Sequence, residues 1–289
     1  MADTPFFRDS SDEKFLPRYT KNALPRLSSY LPFDFNLTAM DVLAMMNLCP
    51  YEYALLGSSP FCALFTEQEW KDFAYVLDMQ FYGDYGFGSA SGRAQGIGYI
   101  LELEARLRST LINSSDTSIN YTFDNDAASF PLNQPLYVDM SHDNTIVSVL
   151  SALSLDYFKY GPRGLPDDLD HAPSSRTFKL NEITPFGANL AFEIWTIPKH
   201  VSLYDLTPTL YGNPDLSGHT NTDTYLRIVL NSAPLPLDGV PGCEANQNGF
   251  CKLSGFLGGV AMLKETADYQ FTCFGEYSMG SGQVGDGRP

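Results

Sequence analysis

Apolar positions recur at helical spacing through residues 36 to 112. Thr38 opens "TAMDVLAMMNLC", which places Val42, Leu43, Met46 and Cys49 on one side of a helix. "TEQE" from Thr66 is a capping box, in which the hydroxyl caps the helix start while Glu69 reaches back. Trp70, Phe73, Ala74, Leu77 and Phe81 follow at helical spacing and are expected to face a core. The glycine-rich patch "YGDYGFGSASG" ends that helix, and "AQGIGYILELEARLRS" makes the next, with Ile97, Ile100, Leu101 and Leu107 inward. No strand precedes its "GIG", so those glycines read as close helix packing rather than a phosphate loop. A polar linker covers about 112 to 130. From 136 the pattern becomes α/β. "LYVDM" reads as a short buried strand, and "NTIVSVLSALSL" as a helix with Ile146, Val149, Leu150 and Leu153 on one face. "ANLAFEIWTI" and "TYLRIVLN" are further strands, and the glycine-rich end "MGSGQVGDGRP" reads as a frayed tail.

Composition narrows the function classes. At 289 residues, with 44% hydrophobic and 13% aromatic content, the chain is expected to fold around a substantial core, as one large domain or two. No apolar run approaches the roughly 18–20 residues of a membrane helix, so no membrane partner is expected. The formal charge of −16 argues against nucleic acid and anionic membrane surfaces. It fits an acidic working environment, where protonated carboxylates would lower self-repulsion.

Cysteines and sequons bear on compartment. Cys243 and Cys251 close the short loop "CEANQNGFC", Cys49 and Cys62 flank "PYEYALLGSSPF", and Cys273 is left over. CxxC spacing is lacking and histidines number four, so no metal is expected. Asn36, Asn113 and Asn120 head the sequons "NLT", "NSS" and "NYT". Together with two disulfides, they favour a secreted or cell-wall protein. Yet "MADTPFFRDSSDEKF" lacks the roughly 7–15-residue apolar stretch of a signal peptide. The expectation is therefore an intracellular protein, or one whose true beginning lies upstream.

The candidate chemistry sits in "SHDN", where the expected strand hands over to a helix. Ligands collect at the carboxyl ends of strands in open α/β sheets, and a helix start favours an anion. A protonated His142 could hold a phosphate there, and Asp143 could protonate a departing oxygen. The plainer alternative is that Asp143 or Asn144 caps the helix and His142 lies in a turn.

The surroundings favour the first reading. "LYVDMSHDNTIVSVLSALSL" resembles the His-Asp signature of the histidine acid phosphatases, particularly the fungal and yeast acid phosphatase and phytase group. "LTAMDVLAMMNLCPYE", "SPFCALFTEQEW", "AQGIGYILELEARL", "TPFGANLAFEI" and "PLDGVPGCEANQNGFC" resemble further blocks of that family, in family order, across most of residues 20 to 275. The resemblance implies an α/β, phosphoglycerate mutase-like histidine phosphatase fold: a mixed sheet flanked by helices, with a smaller helical subdomain. It implies hydrolysis of phosphate monoesters through a phosphohistidine, with no cofactor. The expected division is 1–35 connecting helix or linker, 36–130 helical subdomain, and 131–289 the C-terminal part of the α/β domain.

Carried over by residue, His142 is the phosphate ligand and Asp143 the proton donor. The family's nucleophile lies in an Arg-His-Gly-x-Arg-x-Pro motif, and nowhere in this chain does His follow Arg. His171, His200 and His219 lie in loop-like segments and are not expected to replace it. No lysine or arginine occurs between Arg108 and Lys159, so phosphate-binding cations must come from elsewhere. The expectation is a chain incomplete at its N-terminus and inactive alone. The family ties its last cysteine to an upstream one, which would leave Cys273 unpaired here, although a further family cysteine after "LAFEI" is not matched. Some phytate-preferring relatives carry a lysine pair where this chain has Gln80 and Phe81, which favours a broad acid phosphatase over a strict phytase. The alternative is a non-catalytic relative serving as a binding or interaction module.

Overall fold

The computed structural model describes residues 11–161, 164–203, 220–244, 249–277 and 285–289. Two reciprocal caps set the long helices. After α1 (Ser11–Tyr19) and α2 (Ala23–Ser28), Thr38 starts α3 (Ala39–Leu56) by exchanging hydrogen bonds with Asp41, at 2.8 and 3.2 Å. Gly57, at φ 75°, ends that helix in the left-handed conformation that glycine adopts freely. Thr66 and Glu69 form the second capping box, at 2.7 and 3.3 Å, and start α4 (Glu67–Asp84).

The buried side of α4 differs from the expected one. Phe73 is buried, but Trp70, Ala74, Leu77 and Phe81 are half-buried, whereas Asp72, Tyr75, Val76, Asp78, Met79 and Tyr82 lie deepest. Polar residues can occupy that side because each carboxylate is supplied with donors. Asp72 meets His171 Nδ1 and the Ala172 N–H, both at 2.8 Å, and Asp78 meets Arg176 Nε at 2.5 Å and the Leu180 N–H at 2.7 Å. A periodicity count of apolar residues cannot see such pairings.

Next come α5 (Gly92–Arg108), the short α6 (Tyr121–Asp124) and α7 (Asp143–Ala152). Ile97 and Ile100 are fully buried, with Leu101 and Leu107 packed at the core's edge, and Val149, Leu150 and Leu153 lie inside as expected. The "GIG" glycines serve packing. A Cβ on Gly96 would lie 2.2 Å from the Ser148 carbonyl oxygen of α7, and one on Gly98 would lie 2.6 Å from Ser118 Oγ. Gly96→Ala should therefore force α5 and α7 apart and cost about 1–3 kcal/mol in urea unfolding. A variant as stable as the parent would show that this close approach is dispensable.

The remaining elements are α8 (Leu180–Ile183), β1 (Leu190–Pro198), β2 (Thr222–Leu230), β3 (Ala233–Pro234), β4 (Phe250–Lys252), α9 (Leu253–Ala267) and α10 (Tyr269–Phe274). β1 and β2 match the two strands read from sequence and pair antiparallel from Leu190↔Leu230 to Pro198↔Thr222. β2 is the hub, pairing also with β3 and β4. All these pairings are antiparallel. One core cluster runs from Phe15 of α1 through α4, α5, α7 and β2 to Ala267 of α9.

Two further sequence expectations fail. No strand forms at 136–140: Leu136, Val138 and Met140 are 73%, 71% and 92% exposed. A β-prone run becomes a buried strand when a neighbour takes up its N–H and C=O groups, and no described strand pairs with this one. The tail does not fray at 285–289. Asp286 accepts from Arg93 and Lys159, the Gly287 N–H donates to the Phe87 carbonyl at 2.8 Å, and the Arg93 N–H donates to the Gly287 carbonyl at 3.0 Å. Arg93 is 4% exposed, so its charge needs those partners.

Candidate active site

His142 occupies the cap position of α7, in extended backbone geometry (φ −116°, ψ 166°), and its side chain makes no capping hydrogen bond. Asp143 is the first helical residue, and its Oδ1 accepts from the Asn144 N–H at 2.8 Å. Both side chains are exposed. Apolar residues from Val147 onward anchor the helix in the core, which leaves its first turn open to solvent. The N-terminal end of that helix carries partial positive charge, which favours an anion beside His142 and Asp143. Chemically, the pair offers one anion-binding imidazole and one adjacent carboxyl capable of proton donation.

The segment leading into the pair is held by a contact that sequence reading missed. Arg106 Nη1 and Nη2 donate to Asp139 Oδ2 and Oδ1 at 2.6 and 3.2 Å, and the guanidinium lies over the Phe130 and Tyr137 rings at 5.1 and 5.0 Å. This holds the irregular 136–140 segment against α5. The pairing spans 33 residues and left no periodic signal to find it by.

The other candidate residues lie in separate settings. His171 is engaged by Asp72 of α4, His200 is exposed after β1, and His219 lies outside the described residues. Gln80 and Phe81 are half-buried near the end of α4. Cys49–Cys62 and Cys243–Cys251 are bridged, and Cys273 is free and exposed. Asn36, Asn113 and Asn120 are all exposed. Asn120 Oδ1 also accepts from the Thr122 N–H and hydroxyl, at 3.2 and 2.6 Å. Two surface clefts, of about 310 and 350 Å³, flank the Asp116–Lys264 ion pair, and neither is lined by His142 or Asp143. Among the described residues no helix is long and apolar enough to cross a membrane.

The sequence profile described as "Histidine phosphatase superfamily (branch 2)" matches residues 3–231. Phytase A of Aspergillus oryzae is 32% identical over 260 residues, 88% of this chain and 50% of that protein. Phytase A of Emericella nidulans is 31% identical over 254 residues, 86% of this chain and 48% of that protein. The chain thus spans about half the length of the curated relatives it matches. The crystal structure of the phytase from D. castellii superposes with a TM-score of 0.60 at 21% identity, over 94% of this chain and 49% of that one, a likeness of fold. The ordered sequence blocks, the profile match and these relatives agree: the chain belongs to the histidine phosphatase superfamily, branch 2, within its fungal acid phosphatase and phytase group.

Proposed function

We propose that this chain contributes the phosphate ligand and proton donor of an acid phosphatase that hydrolyses phosphate monoesters through a phosphohistidine. The observation that carries the reading is the exposed His142–Asp143 pair at the head of α7, in a chain of this family. His142, protonated, binds a phosphate oxygen beside the positive end of α7. Asp143 gives its proton to the leaving alcohol as the O–P bond breaks. The attacking histidine has no counterpart motif in the 289 residues, so another segment supplies it, with the cations that grip the phosphate. Water then releases phosphate from that histidine.

Gln80 and Phe81 in place of a lysine pair favour broad phosphomonoester substrates over phytate alone. Two local disulfides and three exposed sequons favour a secreted or cell-wall glycoprotein. We take 1–35 as connecting helix or linker, 36–130 as the helical subdomain and 131–289 as the C-terminal part of the α/β domain.

The 289-residue chain alone should not turn over p-nitrophenyl phosphate at acid pH. Fused to the part of the Aspergillus oryzae protein that it does not match, it should do so, and His142→Ala should sharply weaken the gain. Turnover by the isolated chain that survives repurification and disappears on His142→Ala would overturn the division of labour. A folded fusion without activity would favour the non-catalytic binding-module reading.

A further inference from the structure

α5 turns a stripe of ionisable groups, Tyr99, Glu102 and Arg106, toward the 112–130 and 136–140 segments, at the three- and four-residue spacings that share a helix face. Arg106 is held by Asp139 and the two aromatic rings. One turn earlier, Glu102 faces Asp124, the last residue of α6. Asp124 is 9% exposed, and among the described residues its buried Oδ2 has no donor. Two ionised carboxylates only accept hydrogen bonds and repel each other. One proton between them converts the contact into a hydrogen bond.

The neighbours reinforce this. Burial, and then the Asp124 charge, pushes Glu102 up to about 7 against the pull of Arg106, with Asp139 adding to the rise. Asp124 is itself raised, chiefly by burial. Tyr99, in contact with Asp139, is pushed up to about 12, mainly by burial, and stays neutral throughout. Phe130 and Tyr137 complete the surroundings.

We propose that Glu102 and Asp124 share one proton, and that this proton sets a clamp on the segment leading into the His142–Asp143 site. While it is held, the Arg106 guanidinium stays with Asp139, three residues before His142. When it leaves, the new carboxylate four residues back along α5 competes for that guanidinium, and the 112–130 and 136–140 segments loosen together. The folded protein retains a proton that the unfolded chain releases near the ordinary glutamate value of 4.5. The stabilisation is therefore fully present below that value and is lost as pH rises through about 7.

Thermal unfolding of the 289-residue chain and of Glu102→Gln would be followed by circular dichroism from about pH 4.5 to about pH 8, beside ¹³C carboxyl NMR. Glutamine keeps a donor for Asp124 but carries no titrating proton. The parent Tm should fall by a few degrees across this range, and the variant should lose that part of the slope. One glutamate signal should titrate near 7 and be missing from the variant. If Glu102→Gln fails to fold, Asp124→Asn supplies the test: removing the facing charge should bring the Glu102 titration down toward the ordinary range. Parallel Tm curves, glutamate signals that all titrate in the ordinary range, or an Asp124→Asn titration left unmoved would each overturn the proposal.

Discussion

In a phosphatase assembled around this chain, Asp143→Asn should slow hydrolysis of a sugar or inositol phosphate by roughly 10²–10⁴-fold while leaving the fold intact. An alkyl phosphate has a poor leaving group that needs a proton as the O–P bond breaks, whereas p-nitrophenolate departs without one. Loss on p-nitrophenyl phosphate should therefore be distinctly smaller. The structure explains why the fold should survive. Asp143 is exposed, and the contact it makes, accepting from the Asn144 N–H at 2.8 Å, is one an asparagine oxygen can also make. His142→Ala should weaken both substrates alike, since it removes a phosphate contact rather than a proton. The measurement is kcat/KM for both variants on both substrates, after circular dichroism confirms folding. Equal losses for Asp143→Asn across the two leaving groups would exclude it as the acid.

Arg176→Met should be strongly destabilising, costing about 3–5 kcal/mol near neutral pH. Asp78 is 0% exposed, and Arg176 donates to it at 2.5 Å with its guanidinium over the Tyr75 ring at 5.0 Å. Methionine fills much of the same space but leaves a buried carboxylate with the Leu180 N–H as its remaining donor at 2.7 Å. Even beside Arg176, burial holds Asp78 above the usual carboxylate range, and the arginine pulls it down. Without that pull the folded-state value rises further, so the variant regains stability as pH falls and the carboxyl takes up a proton. Urea unfolding at about pH 7 and about pH 4 should give a smaller loss at the lower pH. The same loss at both would show that the charge on Asp78 is not its source.

These two sites also mark how far the sequence could be read. The segments foreseen with their roles, α3, α5, α7, β1 and β2, announce themselves within one stretch of chain, by a cap or a period. The "GIG" of α5 belongs with them, because small residues inside a helix point to a close neighbour. The two disulfides join cysteines 13 and 8 residues apart, within reach of a local argument. What escaped depends on distant partners. Asp72 and Asp78 look like surface residues until His171 and Arg176 come in from about 100 positions away. "LYVDM" has the composition of a buried strand but lacks a paired neighbour, and pairing rather than propensity decides. At the candidate site, the place of His142 and Asp143 at the start of a helix was legible. The Arg106–Asp139 contact beside them was not, since neither residue carries a pattern that names the other.

The docking of Asp286 on Arg93 imposes an order in time. The two residues lie 193 positions apart, so during synthesis Arg93 emerges on the order of 10–40 s before its partner exists. The short cysteine loops can close as soon as their own segments are made, because little chain entropy separates their ends. α5 has no such independence. Until Asp286 arrives, its first turn holds a guanidinium whose carboxylate partner has yet to be made, although the Ser151 carbonyl of α7 can already accept from it. An interruption of synthesis before Asp286 therefore leaves the buried Arg93 charge without that carboxylate.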